Sequence, residues 1–114
     1  MPHNPTMQSG VRAALECQTT CTETVIHCLM KGGAHAEPSH IRMLLDCAEI
    51  CQLAANFMSR ESDAHPRVCE VCAEVCERCA TSCEQLADDD DMRRCAEACR
   101  SCAESCREMA GAGR

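Results

Sequence analysis

The spacing of cysteines between Cys69 and Cys106 constrains the fold more than any other feature of the chain. This stretch holds nine of the fourteen cysteines in two runs, and every gap within a run is three or four residues. The alternation averages about 3.5 residues, the period of a helical face that packs against other helices. Leucine, isoleucine and valine are absent between Cys95 and Cys106, so cysteine must supply the apolar face there. The pattern predicts a helix bundle whose centre is lined with sulfur.

The first half of the chain repeats this pattern with fewer cysteines. The inner face of the first predicted helix carries Gly10, Ala14, Cys17, Cys21, Thr24 and Cys28. The inner face of the second carries His40, Met43, Cys47, Cys51, Ala54 and Met58. A second apolar strip lies off these faces at Val11, Leu15, Ile26, Leu29, Ile41 and Leu45. Such a strip favours either a subunit interface or packing of the first helix on the second.

Glycine and proline separate the predicted helices. Gly32-Gly33 ends the first helix, and Pro38 and Pro66 mark the first turns of the second and third. The predicted helices span about 6–31, 38–60, 66–87 and 91–110, with Asp90 or Asp91 capping the last one. Short connections between four helices predict an all-α, antiparallel up-down-up-down four-helix bundle with a cysteine-lined core, formed by residues 1–114 as one domain.

Charge and composition exclude several function classes. The net charge is −7, lysine and arginine are dispersed, and Phe57 is the only aromatic residue, so nucleic-acid binding is not expected. An apolar run of about 18 residues is missing, so a membrane span is not expected. The first five residues lack the charged and apolar regions of a signal peptide, which favours a cytoplasmic protein.

Fourteen cysteines in 114 residues exceed the level that usually signals a disulfide scaffold. Residues three or four apart on a helix have Cβ atoms about 5–6 Å apart, whereas a disulfide needs about 3.5–4.5 Å. Disulfides within a helix are therefore not expected, while disulfides between helices remain open. Protonated thiols pack as apolar groups, so we expect the bundle to fold without metal.

Clustered thiolates select soft cations: Cu(I), zinc or iron–sulfur clusters. Each Cys₄ zinc site carries two excess negative charges, and several such sites in one narrow core would repel each other. Cu(I) accepts two or three sulfurs, so bridging thiolates give a neutral column with about one ion per cysteine, about 14 per chain. The predicted Cu(I) ligands are Cys17, Cys21, Cys28, Cys47, Cys51, Cys69, Cys72, Cys76, Cys79, Cys83, Cys95, Cys99, Cys102, Cys106, His40 and Met43.

Methionine and histidine concentrate at the ends of the predicted bundle. One end gathers Cys28, Met30, His40, Met43, Cys83, Met92 and Cys95. The other gathers Met7, Met58, His65, Cys69, Cys106 and Met109. We interpret the first end as the port that admits copper, with methionine as a simple core filler as the alternative. His3, His27 and His35 are predicted to be surface residues, and Asp88 to Asp91 to be a solvated turn.

The cysteine runs and the His40, Met43, Cys47, Cys51 stripe resemble the bacterial four-helix-bundle copper storage proteins that lack an export signal. The resemblance implies cytosolic storage of many Cu(I) ions, bound chiefly by cysteine, in a homo-oligomer that is commonly a tetramer. A copper chaperone is an expected partner. Thr24 and Ala54 occupy inner positions that a fully sulfur-lined core could give to cysteine.

Three other functions compete with copper storage. A general thiolate buffer for zinc or other soft heavy metals uses the same ligands. A thiol oxidoreductase would use the Cys-x-x-Cys pairs, but such pairs normally begin a helix in an α/β chain. A metal-free structural bundle would use cysteine only as filler. Because a general base, a nucleophile–histidine pair and a phosphate-binding loop are all missing from the pattern, we do not expect an enzyme.

Overall fold

The computed structural model describes residues 5–86 and 88–112, without the side chains of Pro5 and Ala112. Its helices are α1 (Pro5–Lys31), α2 (Pro38–Ser59), α3 (His65–Glu84) and α4 (Asp90–Ala112), with a short 3₁₀ turn (Gly33–Ala36) between α1 and α2. The described residues contain no strand. The predicted all-α class is therefore confirmed.

Glycine and proline lie at the connections between helices, where the backbone conformation suits them. Gly32 and Gly33 have φ values of 74° and 59°, a left-handed conformation that glycine adopts without strain, and they end α1. Proline occupies the first turn of both α2 and α3, where its missing N–H costs no hydrogen bond. Glu61, with φ of 53°, makes the turn between these two helices.

The start of α4 differs from the expected cap. Asp89, rather than Asp90 or Asp91, caps the helix, since its Oδ1 accepts a hydrogen bond of 2.8 Å from the backbone N–H of Met92. Asp90 and Asp91 lie in the first turn, where their charge complements the helix dipole. The helix ends differ as well. α3 ends at Glu84, and Ala87, its expected last residue, lies outside the described residues, while α4 continues to Ala112, two residues beyond its expected end.

Each helix packs against its neighbours in sequence, and α1 closes the ring against α4. Contacts such as Cys17 with Cys47 and Cys28 with His40 show that α1 and α2 run antiparallel. The other pairs of neighbouring helices are antiparallel as well. The bundle is long and thin, with extents of 47 × 20 × 17 Å. Alanines that follow cysteines help to keep it thin, because they are buried beside the core: Ala48, Ala73, Ala80, Ala96 and Ala103.

The outward apolar strip is confirmed for α1, where Leu15, Ile26 and Leu29 are 40%, 58% and 53% exposed. Leu45 of α2 is also exposed, whereas Val11 and Ile41 are partly buried and pack against the core. No helix formed by the described residues is long and apolar enough to cross a membrane.

Candidate metal centre

All fourteen cysteines are free thiols, and all are buried. Thirteen have no exposed surface, and Cys106 is 1% exposed. The structure therefore brings every cysteine predicted to be a ligand into one core. It contains free thiols and not the disulfides between helices that the sequence left open.

Four groups of four sulfurs lie close enough to share an ion, with all sulfurs of a group within 4.8 Å of one another. Along the bundle axis the groups are Cys21–Cys79–Cys95–Cys99, Cys17–Cys21–Cys47–Cys99, Cys17–Cys47–Cys51–Cys76 and Cys51–Cys72–Cys76–Cys102. Each group shares two cysteines with the next one. The groups therefore form a continuous column of sulfur rather than separate sites.

The sulfurs meet across the bundle as well as along its helices. Cys51 of α2 lies 3.7 Å from Cys102 of α4, and Cys47 lies 3.9 Å from Cys99, so the diagonally opposed helices meet through sulfur. Three sulfurs around an ion at bonds of about 2.3 Å are about 4.0 Å apart. An ion bound by three thiolates would therefore require sulfur movements of only a few tenths of an ångström.

Burial disfavours the charged form of the thiols before metal binds, whereas hydrogen bonds between thiols raise the pKa of some and lower that of others, among them Cys17, Cys47 and Cys95. Hydrogen bonds to neighbouring thiols, together with burial, raise the pKa of Cys21, Cys51, Cys76 and Cys99. Burial, with the nearby Cys95 and Asp89, raises the pKa of Cys28 to about 11. A cation that binds these sulfurs must displace protons, and the charge that it brings replaces theirs.

One end of the column adds other ligand types. The Sγ of Cys28 lies 3.5 Å from Nε2 of His40 and 3.6 Å from Sδ of Met92. Burial and the nearby His35 lower the pKa of His40, which keeps its imidazole neutral. The Nδ1 of His40 is 2.7 Å from Oγ of Ser82. An imidazole that binds a metal through Nε2 carries its proton on Nδ1. Here the Nδ1–H can donate a hydrogen bond to Oγ of Ser82.

The structure changes several details of this end. Met43 is only partly buried, though it packs against the core, and Met30 is 84% exposed and points away from it. Sequence reasoning missed both Ser82 and Leu44 at this end. Leu44 is fully buried, and its spacing from His40 and Cys47 was the available signal.

The opposite end is closed by methionine. Met58 and Met109 are buried there, and a Cβ at Gly10 would lie 3.1 Å from Sδ of Met58 and 3.3 Å from Cγ of Met109. Glycine therefore allows the two thioethers to approach the backbone of α1 closely. Met7 is partly buried at the same end.

The prediction that His35 is a surface residue is wrong. Its side chain is 7% exposed, because the 3₁₀ turn folds it against Asp88 and Asp89. His27 is partly buried beside the same acidic turn, and Asp89 is only 19% exposed, so this turn is not simply solvated. His3 lies outside the described residues.

Several proteins of similar structure are described as copper storage proteins. The family model described as copper storage protein matches residues 3–111. A structure of the Nmul_A1745 protein from Nitrosospira multiformis is 45% identical, covers 94% of this chain and 96% of its own, and superposes with a TM-score of 0.88. Cu(I)-bound copper storage protein BsCsp3 of Bacillus subtilis is 35% identical over 92% of this chain and 98% of its own, with a TM-score of 0.86.

Two further relatives extend the comparison. A cytosolic copper storage protein from Streptomyces lividans, described with five coppers, is 31% identical over 93% of this chain and 92% of its own, with a TM-score of 0.80. The cysteine-rich protein YhjQ of Bacillus subtilis is 37% identical over 67 residues, which are 59% of this chain and 62% of YhjQ. The chain thus spans less than two thirds of that curated relative.

Proposed function

The chain belongs to the copper storage protein family, and we propose that its buried thiols store many Cu(I) ions along the axis of the bundle. The observation that carries this function is the set of four overlapping four-sulfur groups. Because neighbouring groups share two sulfurs, each shared thiolate can bridge two ions, as a neutral 1:1 copper–thiolate column requires. The proposed ligands are the fourteen cysteines, with His40 and Met43 at one end.

The direct test is an anaerobic titration of reduced, metal-free protein with Cu(I) in the presence of a competing chelator. We expect saturation near one ion per cysteine, about 14 per chain. Saturation at zero to two ions would leave the thiols with a structural or redox role and end the storage proposal.

A general buffer for zinc or other soft heavy metals is the second candidate, since each group contains the four sulfurs that tetrahedral zinc prefers. Shared sulfurs weigh against it, because a string of zinc sites cannot give each ion four thiolates of its own. Competition settles the choice: protein loaded with Zn²⁺ should release the zinc bound by its thiols when Cu(I) is added, and retention of several Zn²⁺ ions per chain would reverse the assignment.

We further propose that the end with Cys28, His40 and Met92 admits copper. Thioether and imidazole ligands exchange readily, and Ser82 holds the imidazole in the orientation that presents Nε2 to Cys28. In stopped-flow loading, His40→Ala should slow the uptake of Cu(I) and leave the final capacity within one ion of the wild type. Unchanged uptake rates would place the port elsewhere.

The same thiol chemistry favours a cytoplasmic location, because a reducing cytoplasm keeps thiols ready for Cu(I). We also propose that the protein is not an enzyme and that it receives its copper from a chaperone. The chain would act as a single domain. The exposed Leu15, Ile26 and Leu29 on α1 favour a homo-oligomer, and the resemblance to the copper storage proteins implies a tetramer. Light scattering coupled to size exclusion would return the mass of a monomer if this proposal is wrong.

A further inference from the structure

A second cluster of ligand side chains lies beside the acidic turn, outside the thiol core. It consists of His27 from α1, His35 from the 3₁₀ turn and Asp89 at the start of α4. One ligand atom from each lies within 4.8 Å of the other two. Two consecutive segments and the distant start of α4 thus place two imidazoles and a carboxylate around one point.

The separations in this cluster suit a small divalent cation. The Nε2 of His27 lies 3.1 Å, and the Nε2 of His35 lies 3.2 Å, from the same oxygen, Oδ2 of Asp89. With metal–nitrogen and metal–oxygen bonds of about 2.0–2.2 Å, ligands at the corners of a tetrahedron are about 3.3–3.6 Å apart. Shifts of a few tenths of an ångström would therefore bring each histidine to the required distance from Asp89, and the ligand atoms of the two histidines lie within 4.8 Å of each other.

Neighbouring groups orient two of the three ligands. The Nδ1 of His27 lies 2.9 Å from Oδ2 of Asp91, so a proton on Nδ1 is held there and Nε2 keeps its lone pair for the cluster. Carboxylates commonly hold metal-binding histidines in this way. The Oδ1 of Asp89 accepts the hydrogen bond from the Met92 N–H, which leaves Oδ2 directed at the two histidines.

The third ligand has an unexplained nitrogen. The side chain of His35 is only 7% exposed. Its Nε2 is buried without a hydrogen-bond partner among the described residues, because its approach to Asp89 lacks hydrogen-bond geometry. A buried polar atom of this kind is costly, and its presence calls for a reason. A metal bound at Nε2 would supply one.

We propose that His27, His35 and Asp89 bind one Zn²⁺ ion per chain, at a site separate from the thiol column. Two imidazoles and a carboxylate, with a position left for water, are a known ligand set for zinc. The mixture of nitrogen and oxygen is harder than thiolate, so this site takes a borderline divalent ion where the core takes a soft monovalent one.

In the metal-free protein, the ammonium group of Lys31 occupies the position beside Asp89 that a bound cation would take. Its Nζ lies 2.7 Å from Oδ2 of Asp89, the oxygen shared by the two histidines. The lysine side chain is 39% exposed and borders an open cleft with His35 and Asp88, so it can turn into solvent when a cation arrives. Removing this ammonium should therefore tighten zinc binding.

The test counts Zn²⁺ on protein whose thiols have been saturated with Cu(I) under anaerobic conditions. We expect one Zn²⁺ per chain, by equilibrium dialysis and metal analysis, for the wild type and none for His35→Gln or Asp89→Asn. Asparagine keeps an oxygen to cap α4, so helix loss does not explain the second result. His65→Gln is the matched control, because His65 bonds a loop carbonyl in another turn, and it should bind zinc like the wild type.

Two further measurements protect the test from indirect explanations. Lys31→Gln should lower the Kd for Zn²⁺, on the order of five-fold, a gain that misfolding cannot produce. Copper-free protein at saturating Zn²⁺ should show the same difference of one ion between wild type and His35→Gln, whatever the thiols bind, so this result does not depend on copper storage. Equal zinc content in the wild type and His35→Gln, or a Kd unchanged by Lys31→Gln, would overturn the proposal.

Discussion

Thr24 offers a test of the sulfur column by gain of capacity. It lies on the inner face of α1 between Cys21 and Cys28, is 5% exposed, and its Oγ1 donates a hydrogen bond of 2.6 Å to the carbonyl of Thr20. Thr24→Cys exchanges a side chain of similar size and adds a fifteenth thiol next to the column. We expect each chain to hold one more Cu(I) ion than the wild type, since each added thiolate balances one monovalent ion.

Thr24→Cys should lower the stability of the metal-free protein only slightly, and this loss can be measured separately from the gain in copper capacity. Losing the hydroxyl hydrogen bond should destabilise the metal-free protein by about 1 kcal/mol, because the thiol is a weaker donor. Native mass spectrometry of fully loaded protein resolves the addition of a single copper. Denaturant unfolding of the metal-free variant measures the stability term independently.

Thr22→Cys is the matched control for this experiment. Thr22 donates the equivalent hydrogen bond, 2.8 Å to the carbonyl of Gln18, but it is exposed on the outer side of α1. Its thiol should bind no copper against a competing chelator. An unchanged capacity in Thr24→Cys, or an equal gain in both variants, would refute the assignment of copper to an inner column.

Three further predictions follow from the core and from its end. Cys99 belongs to two four-sulfur groups and Cys69 to none. Cys99→Ala should therefore lower the Cu(I) capacity, counted by native mass spectrometry, more than Cys69→Ala does. Equal losses would contradict a shared column. Loss of the α4 cap in Asp89→Ala should cost the metal-free protein about 1 kcal/mol in denaturant unfolding beyond the cost of Asp89→Asn, which keeps the cap and loses only the carboxylate charge. The pKa of Cys28 is raised from 9.0 to about 11, so its contribution to the stability of the metal-free fold is full below pH 9 and is lost as the pH rises towards 11. The denaturation midpoint of metal-free protein should fall over that interval, and by less in Cys28→Ala.

The burial of the cysteines could be predicted from sequence because it rests on periodicity. Gaps of three and four residues place side chains on one helical face whatever the neighbouring helices are, and the buried positions of α1, α3 and α4 followed. The same arithmetic identifies Leu44 as an inner residue, since it lies four residues after His40 and three before Cys47. It also places Met30 on the outside, two residues beyond Cys28.

Features outside the helices depend on contacts that a local pattern does not contain. Four consecutive aspartates give no register, so the choice of Asp89 as the cap depends on where the chain turns into α4. His35 lies in a loop whose sequence is typical of exposed turns, and it is buried only because the acidic turn before α4 packs over it. The pairing of His40 with Ser82 joins α2 to α3 and had no signal in either helix alone.

The overlap between sulfur groups determines how an ion can travel. A copper ion that passes from one group to the next exchanges two sulfurs and keeps two, so it is never released into a site without ligands. Such motion follows a single file along the axis of the bundle, in which an ion cannot overtake the one ahead. If copper enters and leaves through one end, the last ion stored is the first available, and the deepest ions form a reserve that is drawn upon only when those nearer the port have gone.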